Sequence, residues 1–265
     1  NRNLDMDGRV FAGFALFEGK DYSFEYDKNH ILMDSIRYFD LFIPTGAVSK
    51  EGVPEALSIG SRIEHSTGVL LIDAPSNKSG TEDIPIFPSY QSKGPSYVYY
   101  DYKGTSDGAY DRDSFYFELD KFSFNSLDRF TKEDITFKGK MVSAGIFPDF
   151  EETLVLQEDE SLGFISDKPK VGFPTYAEKG NFVGEVGLSN EGFLGKGTLS
   201  YLTADVNSED IIFKPNQMLA TADRFELRED DGDVKIPKAL GLDVSIDWKP
   251  YQDSMYVRTQ EKAFE

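Results

Sequence analysis

Apolar and polar residues alternate with a period of two along most of this chain, and that pattern decides what it can build. Tyr22, Phe24 and Tyr26 alternate with Ser23 and Glu25; Phe115, Phe117 and Leu119 lead on to Phe122 and Phe124; Leu242, Val244, Ile246 and Trp248 alternate with Asp243, Ser245 and Asp247. Successive side chains of a strand point to opposite faces, so each run reads as a strand with one buried face. No long stretch keeps apolar residues at the i, i+3, i+4, i+7 spacing of an amphipathic helix. Turn signals punctuate the runs at Asp7-Gly8, Glu18-Gly19-Lys20, Lys93-Gly94-Pro95, Asn190-Glu191-Gly192 and Asp230-Asp231-Gly232-Asp233, where Gly and Asp tolerate tight backbone angles. The expected fold class is all-β.

The chain also echoes itself. Ala12-Gly13-Phe14-Ala15-Leu16-Phe17, Tyr22 to Tyr26, Ile31-Leu32-Met33 and Phe39-Asp40-Leu41 recur in order as Lys196-Gly197-Thr198-Leu199-Ser200-Tyr201, Asp210 to Phe213, Met218-Leu219-Ala220 and Phe225-Glu226-Leu227. The offset drifts slightly, so small insertions are required. Shorter echoes lie at Phe137 to Gly145 and Phe182 to Leu188. Strand units that bury a face by stacking on neighbours build solenoids and elongated β-sheet stacks, and that repeat-built form is the expected architecture. Residues 1–180 would form a first β-rich repeat unit, and 181–265 the start of a second, truncated one. A two-sheet β-sandwich or jelly roll accommodates the same alternation. The opening Asn1-Arg2-Asn3 and the closing Lys262-Ala263-Phe264-Glu265 read as the ends of a piece excised from a longer protein.

Composition narrows the partners. The 265 residues include 22 Phe and 14 Tyr, aromatic content that a disordered chain lacks, so a core is expected without metals or disulfides. With 47 acidic against 28 basic residues the net charge is −19, which repels phosphate backbones and excludes nucleic acid as a partner. Cysteine is absent, which rules out disulfides and thiol catalysis. No apolar run approaches the ~18–20 residues of a membrane-spanning helix.

Several strings resemble those of large repetitive envelope and surface proteins of Bacteroidota of unassigned function. They are His65 to Gly80 (HSTGVLLIDAPSNKSG), Ser96-Tyr97-Val98-Tyr99-Tyr100-Asp101, Ala144 to Phe150 and Ser161-Leu162-Gly163-Phe164. The resemblance implies an exported, β-rich protein of a Gram-negative envelope: periplasmic, outer membrane-associated or on the cell surface. Its partners would be other envelope or surface proteins and flanking repeats of the same chain. It transfers no catalytic residue. The Gly-strand-Phe rhythm is also similar to that of β-groove proteins that carry lipid across the periplasm.

Candidate chemistry is sparse. Asn3, Asp5, Asp7 and Gly8 match the opening of a calcium loop, but the twelfth position, where a bidentate Glu belongs, is Phe14. Asp230, Asp231 and Asp233 around Gly232 form a second acidic cluster able to hold a hard cation, or a solvated hairpin tip; calcium is the one cofactor left open. The only histidines are His30 and His65, so any Ser-His-Asp triad would use one of them, with His65 beside Ser66 the better placed. Gly192-Phe193-Leu194-Gly195-Lys196-Gly197 lacks the Lys-Ser/Thr and helix start of a phosphate loop. Tyr97, Tyr99, Tyr100 and Asp101 make the densest aromatic and acidic cluster, a surface suited to stacking sugar rings and bonding their hydroxyls. No catalytic residues emerge, and enzymatic activity is left open with the weight against it. The expected function is a non-catalytic structural or interaction segment. The alternatives are a lipid-carrying groove lined by Phe14, Leu16, Phe24 and Phe213, and a glycan-binding or glycan-cleaving domain.

Overall fold

A computed structural model of the chain describes residues 2–48, 50, 52, 54–229 and 237–259. The fold is all-β: antiparallel strands joined by turns and four short 3-10 segments, with no α-helix among the described residues. Contacts divide the chain into two compact, discontinuous units. The first holds residues 1–99, 116–141 and 151–162, and the second 100–115, 142–150 and 163–265. This is a division by packing, distinct from the repeat division at 180/181, which it leaves open.

The strands are β1 (Leu4–Ala12), β2 (Ala15–Glu25), β3 (His30–Val48), β4 (Pro54–Ser58), β5 (Ile63–Leu71), β6 (Ser89–Ser92), β7 (Ser96–Tyr99), β8 (Phe115–Leu119), β9 (Ser123–Phe124), β10 (Thr136–Ser143), β11 (Phe150–Leu156) and β12 (Leu162–Ser166). They continue with β13 (Phe173–Thr175), β14 (Gly180–Ser189), β15 (Gly192–Tyr201), β16 (Ala204–Lys214), β17 (Gln217–Leu227), β18 (Ala239–Lys249) and β19 (Ser254–Thr259).

In the first unit β1 pairs with β2, β2 with β3 and β3 with β5; β5 then pairs with both β6 and β7, and β7 with β8. The buried face carries Phe17, Phe39, Tyr90, Phe122 and Phe137, whose rings follow one another at centroid distances of 4.9–6.1 Å. Two turn signals of the sequence are instead bulges inside strands. The β1–β2 register shifts between Met6 and Gly8, and the β2–β3 register between Glu18 and Gly19. The extra residue lies in β2 between Gly19 and Tyr22 in the first case and is Arg37 of β3 in the second, and the strands continue past it. At Gly19 there is no room for anything larger: a Cβ would stand 2.1 Å from the Ser35 carbonyl oxygen and 2.6 Å from the Tyr22 hydroxyl.

In the second unit β14 to β19 form a meander, each strand antiparallel to the next. β13 and β12 pair with the two ends of β14. Phe147 sits at the centre of the core, 5.0–6.0 Å from the rings of Phe173, Phe182, Phe193 and Phe213. Trp248, fully buried, packs against Tyr176 and Tyr201. The Tyr110 hydroxyl lies between two strand ends: it accepts a hydrogen bond from the Phe193 amide at 2.9 Å and donates to the Phe213 carbonyl at 2.7 Å.

The sequence echo is placed alike only in part: Ala15 to Phe17 and Tyr22 to Glu25 share one strand, β2, whereas their echoes Leu199 to Tyr201 and Asp210 to Phe213 lie in two, β15 and β16. In the β2–β3 hairpin Ala15 faces Leu41 and Phe17 faces Phe39. In the β16–β17 hairpin Ala204 faces Leu227 and Val206 faces Phe225. Phe39-Asp40-Leu41 and Phe225-Glu226-Leu227 thus hold the same place in two hairpins, one in each unit.

Candidate functional site

Directly paired residues of an antiparallel sheet project from the same face. Following the pairs across the first unit gives a lateral row: Arg9 on β1, Glu18 on β2, Tyr38 on β3, Glu64 on β5, Tyr97 on β7 and Glu118 on β8. Their sequence neighbours Phe17, Phe39, Ile63, Val98 and Phe117 fill the core, so the row lies on the face turned away from it.

At one end of the row Glu18 organises the charges. Its carboxylate accepts hydrogen bonds from Arg9 Nε at 2.8 Å and from the Tyr38 hydroxyl at 2.5 Å, and pairs with the Arg37 guanidinium as well. The Tyr38 hydrogen bond, then that from Arg9, holds the Glu18 carboxyl below its ordinary range. The Arg62 guanidinium lies 4.1 Å from the centre of the Tyr38 ring and reaches Asp40 at 3.0 Å. Burial raises the Asp40 carboxyl above its ordinary range, against the pull of Arg62.

Beside this network a cleft of about 720 Å³ opens where the strands bulge. Its charged lining is Arg9, Lys20, Arg37, Glu18 and Asp34, with His65, Ser35 and Thr67 completing the polar wall. Lys20 and Asp34 are exposed, and their side chains make no hydrogen bond or ion pair among the described residues. His65, in β5 at φ 55°, turns its ring outward, more than half exposed. Its other neighbour is Tyr99, edge-on at 6.0 Å.

Through His65 the cleft therefore adjoins a tyrosine cluster. Tyr97 and Tyr99 are nearly parallel, 6.0 Å apart with 19° between their planes, and Tyr116 stands edge-on to both at 5.7 and 6.4 Å. All three are half-buried, with Glu64 and Glu118 as row neighbours of Tyr97. Desolvation, then the charge of Glu118, raises the Tyr97 phenol above its ordinary range.

The residues singled out in the sequence fare differently. Tyr97 and Tyr99 fall on this face. Tyr100 does not: strand parity turns it inward, where it is fully buried and meets Phe115 edge-on at 6.2 Å in the second unit. Asp101 is held by Arg112 at 2.7 Å. Asn3, Asp5 and Asp7 do not form a loop; Asp5 and Asp7 lie in β1. The Asn3 and Asp7 side chains instead accept hydrogen bonds from the Tyr26 and Asp21 amides. Among the described residues no group of three or more His, Asp or Glu side chains could hold a metal ion. Asp230, Asp231 and Asp233 lie outside the described residues. The Ser66 hydroxyl faces the core, bonded to Tyr90 at 2.7 Å and Ser96 at 2.8 Å, so it forms no triad with outward-facing His65.

Sequence reasoning missed Tyr116 and Glu118, although the inward triplet Phe115, Phe117 and Leu119 already implied that the residues between them face out. Arg9, Glu18 and Tyr38 carried no local signal, because only the strand register brings them into one row.

The fold and this face define an all-β protein with a polar, tyrosine-bearing sheet surface. No protein-family model, no curated protein and no solved structure matches the chain.

Proposed function

We propose that the chain is a non-catalytic interaction segment of a larger exported envelope or cell-surface protein, and that the outer face of its first sheet contacts glycan. The observation that carries this reading is the clustering of Tyr97, Tyr99 and Tyr116 beside Glu64, Glu118 and His65 on one rigid sheet face. Half-buried tyrosines present apolar ring surface and a hydroxyl together, which suits the mixed surface of a sugar, and the flanking carboxylates accept hydrogen bonds from sugar hydroxyls. Strands on both sides hold the cluster in register, so little ordering accompanies binding.

The lipid-groove alternative has less support. Leu16 is buried, Phe213 lies in aromatic packing, and the cleft on this face is lined by charged and hydroxyl groups. For repetition, the matched positions of Phe39 and Phe225 in their hairpins count in favour, and the division of the second copy between β15 and β16 counts against. Calcium at Asn3, Asp5 and Asp7 is disfavoured because the Asn3 and Asp7 side-chain oxygens already accept backbone hydrogen bonds. Location in the periplasm, at the outer membrane or on the cell surface rests on the family resemblance.

Affinity electrophoresis through gels containing neutral or acidic polysaccharides tests the reading. The wild-type chain is expected to be retarded by at least one of them, and a Tyr97→Ser/Tyr99→Ser variant to run as in a blank gel. Equal retardation of the two would remove the tyrosine face from the account.

A further inference from the structure

The glycan reading leaves open which sugars the face accepts, and the cleft next to the tyrosines narrows that choice. The chain as a whole is strongly acidic, at −19. Yet the cleft wall sets three cations, Arg9, Lys20 and Arg37, against two carboxylates, Glu18 and Asp34, with His65 at the side nearest Tyr99. Glu18 engages both arginines and fixes them in place, whereas the Lys20 side chain has no partner among the described residues and is exposed. An ammonium in that position is available to an incoming anion at no cost of a broken ion pair. Ser35, Thr67 and Asp34 beside it offer hydroxyl and carboxylate groups suited to sugar hydroxyls. The cleft volume of about 720 Å³ lies within the usual range of ligand sites, and its polar wall suits a polar ligand.

From this juxtaposition we infer that the face takes an anionic saccharide: a sugar ring contacts Tyr97, Tyr99 and Tyr116 while the carboxylate of a neighbouring uronate residue enters the cleft and pairs with Lys20. The inference rests on the glycan reading and specifies the charge of its ligand. Repulsion from the surrounding acidic surface makes recognition local, because an acidic chain gains attraction only where the cleft cations outnumber the acids.

Isothermal titration with an oligogalacturonate and with a neutral malto-oligosaccharide, on the wild type and on Lys20→Gln, separates the possibilities. The variant is expected to keep the wild-type far-ultraviolet spectrum, since Lys20 holds nothing in place. Tighter binding of the oligogalacturonate, weakened by about tenfold in Lys20→Gln and by added salt, is the expected result. Equal affinity for both ligands, unaffected by the substitution, would overturn the charge preference and leave the glycan reading standing. Binding of neither ligand to the wild type would overturn both.

Discussion

Replacing Tyr110 by Phe removes one oxygen atom and leaves the ring that stacks on Phe115, 4.0 Å between centroids, in place. That oxygen is buried and serves two backbone groups, the Phe193 amide at 2.9 Å and the Phe213 carbonyl at 2.7 Å. Both ends of β15 and β16 are held at this point by a side chain instead of by each other. Each buried backbone group left without a partner costs about 1–3 kcal/mol. Partial closure of the strands on one another recovers some of this, so the expected loss is about 2–4 kcal/mol, or about 4–16 °C in melting temperature at ~2–4 °C per kcal/mol. Trp248 is the only tryptophan and lies in the core of the same unit, so its fluorescence during urea unfolding reports that unit specifically. Tyr256→Phe is the control: that side chain is about half exposed, and surface changes of this kind stay within about 0.5 kcal/mol. If Tyr110→Phe were no more destabilising than Tyr256→Phe, the Tyr110 hydroxyl would not be joining the strands and the packing argument for this unit would fail.

Three further outcomes follow from the geometry. On β14, a Cβ at Gly184 would lie 2.1 Å from the Lys196 carbonyl, whereas at Gly187 its nearest neighbour is 3.6 Å away. Gly184→Ala should therefore cost several kcal/mol by urea titration, about 3 as an overpacking estimate, and Gly187→Ala should cost much less. Glu18 has a depressed carboxyl, so its contribution to stability is present above its unfolded value and lost as pH falls through the folded one; Glu18→Gln should flatten the acid side of a melting-temperature profile taken from about pH 6 downward. Asp40, whose carboxyl is raised, works in the opposite sense and adds stability as pH falls, so an acid limb as steep in the variant as in the wild type would contradict the role of Glu18. Burial raises the phenols of Tyr22, Tyr90, Tyr110 and Tyr176, so their contribution is present below about pH 10 and lost as pH rises through the folded values. Ultraviolet titration should show Tyr110 and Tyr176, which share the second unit with Trp248, ionising only with loss of the Trp248 signal; their ionisation ahead of that loss would contradict the burial.

What the sequence reveals is the parity of side chains and the identity of the fold class. Alternation in Phe115 to Leu119 and in Val244 to Trp248 marks β8 and β18 directly, because burial on one face leaves a local trace; Leu242, expected on the same face, is exposed, because Asp243 at φ 51° breaks the alternation. Parity also separates Tyr97 and Tyr99 from Tyr100, which goes to the core. The same reasoning does not distinguish a turn from a bulge: Asp7-Gly8 and Glu18-Gly19-Lys20 carry turn chemistry, yet their strands continue through bulges. The site row was not legible, because Arg9 and Glu118 meet one face only through five strand pairings. Register of that kind is fixed by non-local packing such as Phe17 against Phe39 and Tyr90, which no window of sequence contains.

The central claim is that the outer face around Tyr97 and Tyr99 is where the protein meets a saccharide. Amide and side-chain chemical shifts of the isotopically labelled chain, followed while oligogalacturonate is added, test it most directly. The account predicts saturable shifts confined to Lys20, Glu64, His65, Tyr97, Tyr99, Tyr116, Glu118 and their immediate neighbours, with Trp248 unmoved. Saturable shifts centred elsewhere, or none on this face at millimolar ligand, would contradict it.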